Sequence, residues 1–177
     1  TIHDYEYMDM NLGLAYRFLD SKTVLTELHD HNYYEYFIIT SGEIIHEVNG
    51  KSSSLKAGNM VFIRPHDLHN YQISDNKNCK MINVSFSKKH FERLTEYFSN
   101  PVIDEMLSAE YPPTIVLSQQ RLNALKKKHY LLNVSLNRNE LIALFKTLAV
   151  DVVSYFILEY NSQNQQDHEK MLQSVLK

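Results

Sequence analysis

From Leu14 to Phe86 apolar and polar residues alternate in short runs closed by turn residues, the pattern of half-buried β-strands. Leu14–Asp20 reads as a strand, Ser21-Lys22 as a turn, and Thr23–Leu28 as the next strand. Glu35–Thr40 is aromatic and β-branched, and a turn at Ser41-Gly42 separates it from Glu43–Val48. Asn49-Gly50 is a strong hairpin signal, returning into Lys51–Leu55. Ala57-Gly58-Asn59 turns into Met60–Ile63, which Pro65 stops because it has no N–H for a ladder. His69–Ser74 and Lys80–Phe86 follow, with a polar loop at 75–78 between them. About eight short strands with close turns predict a small β-barrel or jelly roll. Residues 1–13 show no clear period and read as a lead-in.

After Phe86 the period lengthens to that of helices. Ser87 is placed to cap a helix over Lys88–Phe98, with Phe91, Leu94 and Phe98 on one face. Pro101 opens a short helix over Val102–Ala109, closed by Pro112-Pro113. Ser118 caps a helix through Asn133 carrying Leu122, Leu125 and Leu132. Asn137 and Glu140 form a capping-box pattern ahead of the longest helix, whose apolar face runs from Leu141 to Tyr160. Asn161–Gln166 reads as a linker and Asp167–Leu176 as a further helix. The expected architecture is β-rich α+β: a single barrel over 1–86, then a helical segment over 87–177. The helices carry more apolar surface than one barrel wall covers, so part of it is expected at a dimer seam.

Composition narrows the class without naming a function. At 177 residues, 44% hydrophobic and 22% charged, the chain has the make-up of an ordinary globular protein. Its net charge of −3 excludes nucleic-acid binding by bulk electrostatics, and Lys126-Lys127-Lys128 reads as a solvated helix face. No stretch reads as a membrane span or a signal peptide. The single cysteine, Cys79, excludes an internal disulfide and points to a reducing, cytoplasmic setting.

The chemistry gathers where the strands meet the histidines. His29 and His31 are two apart, so an extended chain puts both on one face, and Glu35 shares it if no bulge intervenes. Two imidazoles and a carboxylate suit zinc, nickel, iron or manganese, and His69 offers a fourth ligand. Tyr33, Tyr16 and Tyr71 supply flat faces beside hydroxyls, and Arg17, Asn83 and His66 polar groups, for an effector such as a sugar. Tyr36 should face away from Glu35 and serve as outer packing. Tyr16 and Arg17 are consecutive, so only one of them can point inward.

His29, His31, Glu35 and Gly42 fit a histidine-x-histidine, glutamate, glycine pattern that resembles the first cupin motif. Gly58 to His69 resembles the second motif, departing from it at Arg64, His66 and Ile73 while keeping the histidine. With the following Met81–Phe86 and the helices, the chain resembles the sensor half of AraC-type transcription regulators over roughly residues 14–160, most closely their chitobiose-responsive branch. The resemblance implies an effector-sensing barrel for a small saccharide such as a chitobiose derivative, and a homodimer through the C-terminal helices. It implies DNA contact only through a helix-turn-helix domain beyond this chain, and no enzymatic activity. A metal-dependent cupin enzyme (an oxygenase or sugar isomerase) is the competing reading from the same ligands. A purely structural dimerisation module is a third.

Overall fold

The computed structural model describes residues 1–24, 27–73, 78–135 and 137–175. After a single-turn helix α1 (Asp4–Tyr7), six strands follow in order: β1 (Leu14–Asp20), β2 (Tyr34–Val48), β3 (Lys51–Lys56), β4 (Asn59–Ile63), β5 (His69–Gln72) and β6 (Cys79–Phe86). Then come α2 (Lys88–Phe98), α3 (Pro101–Ser108), β7 (Thr114–Val116), α4 (Gln119–Val134) and α5 (Arg138–Val175). The main sheet runs β1-β6-β2-β4-β7, and β3 and β5 flank the second half of β2. All of these pairings are antiparallel.

Strand parity creates the two sides of the barrel wall. Tyr36, Ile38, Val84, Ile82, Met60 and Phe62 face outward, into a core shared with α2–α5. Phe37, Ile39, Met81, Val61 and Ile63 face inward with Ile44, Leu55 and Tyr71. Tyr36 thus packs on the helix side, against Phe62 and Phe156. The outer core joins residues before and after position 86, so no structural gap falls there. Cys79 is buried as a free thiol.

The strands expected at Glu35–Thr40 and Glu43–Val48 are one strand. β2 shifts register between Ile39 and Ser41 and bends from the main sheet towards β3 and β5. Gly42 makes the bend at φ +74°, and a Cβ there would lie 1.7 Å from the Asn78 carbonyl oxygen. The strand expected over Thr23–Leu28 does not form among its described residues. The Asp20 carboxylate accepts from Lys22 N and Thr23 N, holding a turn instead. Leu25, Thr26, Ser74 and most of the loop at 75–78 lie outside the described residues.

Asn100 Oδ1 accepts from Val102 N, Ser118 Oγ from Arg121 N and Asn137 Oδ1 from Glu140 N, so three helices start at capping side chains. Ser87 does not cap through its side chain, which meets His90 Nδ1 instead. One strand is new and one further expectation is corrected. Thr114–Val116 is a strand on the edge of β4, and Asn161–Gln166 continues α5 rather than linking two helices. One contact accounts for both, because the Gln163 amide bonds Val116 N and O and covers the outer edge of β7. Within Arg138–Gln163 an 18-residue stretch has a mean hydropathy of 2.0, long and apolar enough to cross a membrane. Its Leu148, Val152, Val153, Phe156 and Ile157 are nevertheless buried in the outer core, the ordinary reason for an apolar helix in a globular protein. Lys128 pairs with Asp151 across α4 and α5, leaving Lys126 and Lys127 in solvent.

Candidate metal centre

His31 lies just ahead of β2, Glu35 near its start, and His69 opens β5. The approach to β2 is irregular rather than a strand. His31 is held by a bridge to Ile2, and His29 exchanges backbone hydrogen bonds of 2.9 and 2.8 Å with His69. These ties bring His31, Glu35 and His69 together. Their ligand atoms lie within 4.8 Å of one another, and His31 Nε2 stands 3.7 Å from Glu35 Oε2. Exposure is 0% for both histidines and 3% for the glutamate.

Hydrogen bonds on the far side of each ring orient the imidazoles. His31 Nδ1 is 2.7 Å from the Tyr33 carbonyl oxygen, which can only accept, so Nδ1 carries the proton and Nε2 presents a lone pair. Tyr33 also stacks on the His31 ring with centroids 4.1 Å apart. His29 repeats the arrangement, with Nδ1 2.8 Å from Glu27 O and its ring 4.3 Å from that of His69. The Nε2 atoms of His31 and His69 are buried with no hydrogen-bond partner among the described residues. Two such nitrogens beside a carboxylate form a donor set that fits a divalent transition metal.

Burial dominates the protonation of all these groups. It lowers His31 to about 4, against the weaker opposite pull of the Tyr33 carbonyl. It carries His69 well below the ordinary histidine value, helped by the charges of His29, His31 and His46. Glu35 is raised to about 7 by burial, opposed by hydrogen bonds from Asn83 and Tyr71 and by the charge of Arg17. The His31–Glu35 contact is therefore a neutral pair near pH 6 rather than an ion pair.

The barrel interior collects Arg17, Tyr71 and Asn83 around Glu35. Tyr71 Oη lies 3.4 Å from Glu35 Oε1, and Ser85 Oγ donates to Asn83 Oδ1 at 2.9 Å, turning the amide N–H₂ towards the carboxylate. Arg17 pairs with Asn83 across β1 and β6, on the inward parity, and is exposed to solvent. Tyr16 takes the opposite parity and packs its ring against Phe145 and His129 on the helix side, so it does not line the interior. His66 also falls outside the barrel, 75% exposed beside Asp30, because a turn at φ +70° aims it away. His29 is partly exposed at the edge of the trio and is not among its mutually close ligands. His46 went unnoticed in the sequence. It is 1% exposed with Nε2 3.4 Å from His69 Nδ1, and its signal was an imidazole in the inward alternation Ile44, His46, Val48.

Residues 11–136 match the AraC-like ligand binding domain family. The transcriptional activator RhaS is 33% identical over 85 residues, both in Escherichia coli (strain K12 / DH10B) and in Shigella boydii serotype 18 (strain CDC 3083-94 / BS512). That stretch is 48% of this chain and 29% of each relative, so the chain spans under a third of their length. ToxT from Vibrio cholerae shares the fold with a TM-score of 0.50 and 13% identity, over 81% of this chain and 57% of that one. A cupin-like protein from Thermotoga maritima MSB8 gives a TM-score of 0.40 at 20% identity, over 47% of this chain and 65% of its own. With the barrel, the helices packed on its outer wall and the family match spanning both, the chain belongs to the AraC-like ligand binding domain family.

Proposed function

We propose that this chain is the effector-sensing part of an AraC-type transcription regulator, with a divalent transition metal held by His31, Glu35 and His69. The observation that carries the metal assignment is the pair of buried Nε2 atoms, of His31 and His69, without a hydrogen-bond partner among the described residues, in a group with Glu35 whose ligand atoms lie within 4.8 Å of one another. His29 is the fourth candidate ligand, at the solvent side of the trio. A bound metal supplies Lewis acidity and open positions for oxygen or nitrogen donors of an effector. The protein's own groups do the rest: Tyr33 and Glu27 carbonyls orient rings, and Asn83 and Tyr71 hold the Glu35 carboxylate.

The effector on this reading is a small saccharide, such as a chitobiose derivative, entering where Arg17 reaches solvent. Arg17 and Asn83 present the donors that sugar hydroxyls accept. Its differential affinity for two arrangements of barrel and helices sets the response. Dimerisation through α4 and α5, DNA contact through a helix-turn-helix domain beyond this chain, and a cytoplasmic location complete the proposal. The names of the RhaS relatives support the regulator reading.

Elemental analysis of the chain, purified without a nickel column, tests the metal beside His31→Ala. About one zinc, nickel, iron or manganese per chain, lost in the variant, is the expected result. No metal in either, with no uptake on titration, removes the coordination site. The trio would then be left as hydrogen-bonding groups. Calorimetric titration with chitobiose and related sugars tests the effector, with binding expected to weaken at least about tenfold in Arg17→Ala. Equal affinity in that variant removes Arg17 from the site.

A further inference from the structure

Each histidine around the trio has its Nδ1 engaged, but by different partners. Backbone carbonyls hold His29 and His31, whereas His69 meets a side chain, His46, at 3.4 Å. Resting on the coordination reading above, we propose that His46 is a positioning residue whose Nε2 accepts the Nδ1 proton of His69, turning the Nε2 lone pair of His69 towards His31 and Glu35.

The direction of this hydrogen bond decides what His69 can do. A neutral imidazole has one N–H and one lone pair. If His46 donated, His69 Nδ1 would accept and its proton would sit on Nε2, a buried atom with no acceptor bonded to it among the described residues. If His69 donates, the buried Nε2 holds a lone pair free for a ligand, matching His31, whose carbonyl partner allows only that tautomer. The second arrangement gives two like-oriented nitrogen donors. It is the relation in which an outer hydrogen bond sets the tautomer and direction of a ligating histidine.

The fold holds His46 in place for this. β2 and β5 pair Val48 with His69 and His46 with Tyr71, so His46 lies one diagonal step from His69 on the inward face. Phe37 stands edge-on to the His46 ring at 4.9 Å, and Tyr71 lies tilted against it at 5.3 Å. His46 is thereby fixed by apolar packing and by cross-strand register, independently of whatever occupies the trio.

The experiment compares the wild-type chain with His46→Gln, whose amide oxygen still accepts, and His46→Leu, which cannot. Long-range ¹⁵N–¹H spectra of the metal-free proteins report the His69 tautomer, and Zn²⁺ competition titrations report affinity. The expected result is Nδ1–H at His69 in wild type and His46→Gln, with affinities within a few-fold of each other. His46→Leu should bind zinc about 10–100-fold more weakly while keeping the wild-type circular dichroism. An Nε2–H tautomer at His69 in the wild type overturns the proposal. So does equal zinc affinity in all three chains. So does an equal loss in both variants with the His69 tautomer unchanged, since His46 would then be a direct ligand. A wild type that takes up no zinc rejects the coordination reading instead, and the His69 spectrum still decides the role of His46.

Discussion

His31, His46 and His69 sit in a part of the barrel where hydration is lost before any charge partner makes up for it. Burial lowers His31 and His46 to about 4, whereas the unfolded chain takes up those protons near 6.5. Between these values the unfolded state binds more protons, so the histidines' stability is complete above pH 6.5 and is lost as pH falls towards 4. Glu35 has the opposite sign. Folded it holds its proton up to about 7, unfolded only to about 4.5, so its contribution falls as pH rises across that interval. Several histidines outweigh one glutamate, and the metal-free chain should be most stable near pH 6.5. Denaturant midpoints in chelator should drop between pH 6.5 and 4.5, by on the order of a few kcal/mol in free energy. A flat profile there would show that these histidines titrate normally. Metal binding at pH 6 should release about one proton, chiefly from Glu35, measurable by calorimetry in buffers of different ionisation heat. On the helix side, Tyr36 Oη is buried without a hydrogen-bond partner among the described residues. Tyr36→Phe should therefore raise stability by up to about 1 kcal/mol, and a clear loss in the urea midpoint would reveal a partner for that hydroxyl.

At the scale of elements, β2 is the piece that makes a barrel from two sheets. Two glycines with nearly the same φ test how. Gly42 at φ +74° has Asn78 O 1.7 Å from where a Cβ would be, whereas Gly50 at φ +77° has nothing within 4 Å. Gly50→Ala should cost about 1 kcal/mol from the left-handed conformation alone. Gly42→Ala should cost at least about 2 kcal/mol more, because the backbone at Asn78, just ahead of β6, has to move. Similar losses in thermal unfolding of the two variants would mean that the bend at Gly42 relaxes freely. In the sequence Ser41-Gly42 looked like an ordinary turn between two strands. Local chemistry marks a left-handed position but does not say whether the chain reverses or bends there.

For the whole molecule, the helices are the outer half of the barrel wall's packing. Phe156 of α5 meets both Tyr36 and Phe62 from the sheet. Phe156→Ala should cost about 3–5 kcal/mol, and barrel and helices should still unfold in one transition because one core crosses between them. Helical circular dichroism and tyrosine fluorescence monitored against denaturant check this. Two separated transitions would mean that the barrel folds without its helical cover.

Much of this was legible in the order of residues. Period-two alternation located β1, β4 and β6, the Asn49-Gly50 hairpin located β3, parity assigned Tyr36 and Glu35 to opposite faces, Pro101 marked the start of α3, and capping residues located the starts of α4 and α5. His31 and Glu35 stood out as candidate ligands through local spacing, whereas His69, in a distant segment, stood out through the resemblance of its run to the second cupin motif. What required tertiary structure was every feature made by two distant segments. β7 exists through pairing with β4 and a Gln163 side chain, so its three residues carry too little local signal to be found. The same contact keeps 161–166 helical where composition suggested a linker. Tyr16 could be separated from Arg17 only once the inward face of β1 was set by its register with β6. His46 comes within reach of His69 only through the pairing of β2 with β5. Sequence determined which residue types line up on each face, since side-chain direction follows the backbone period. Register between strands far apart in the chain decided which of those faces meet, because hydrogen-bonded pairing is set by the packing of the whole barrel.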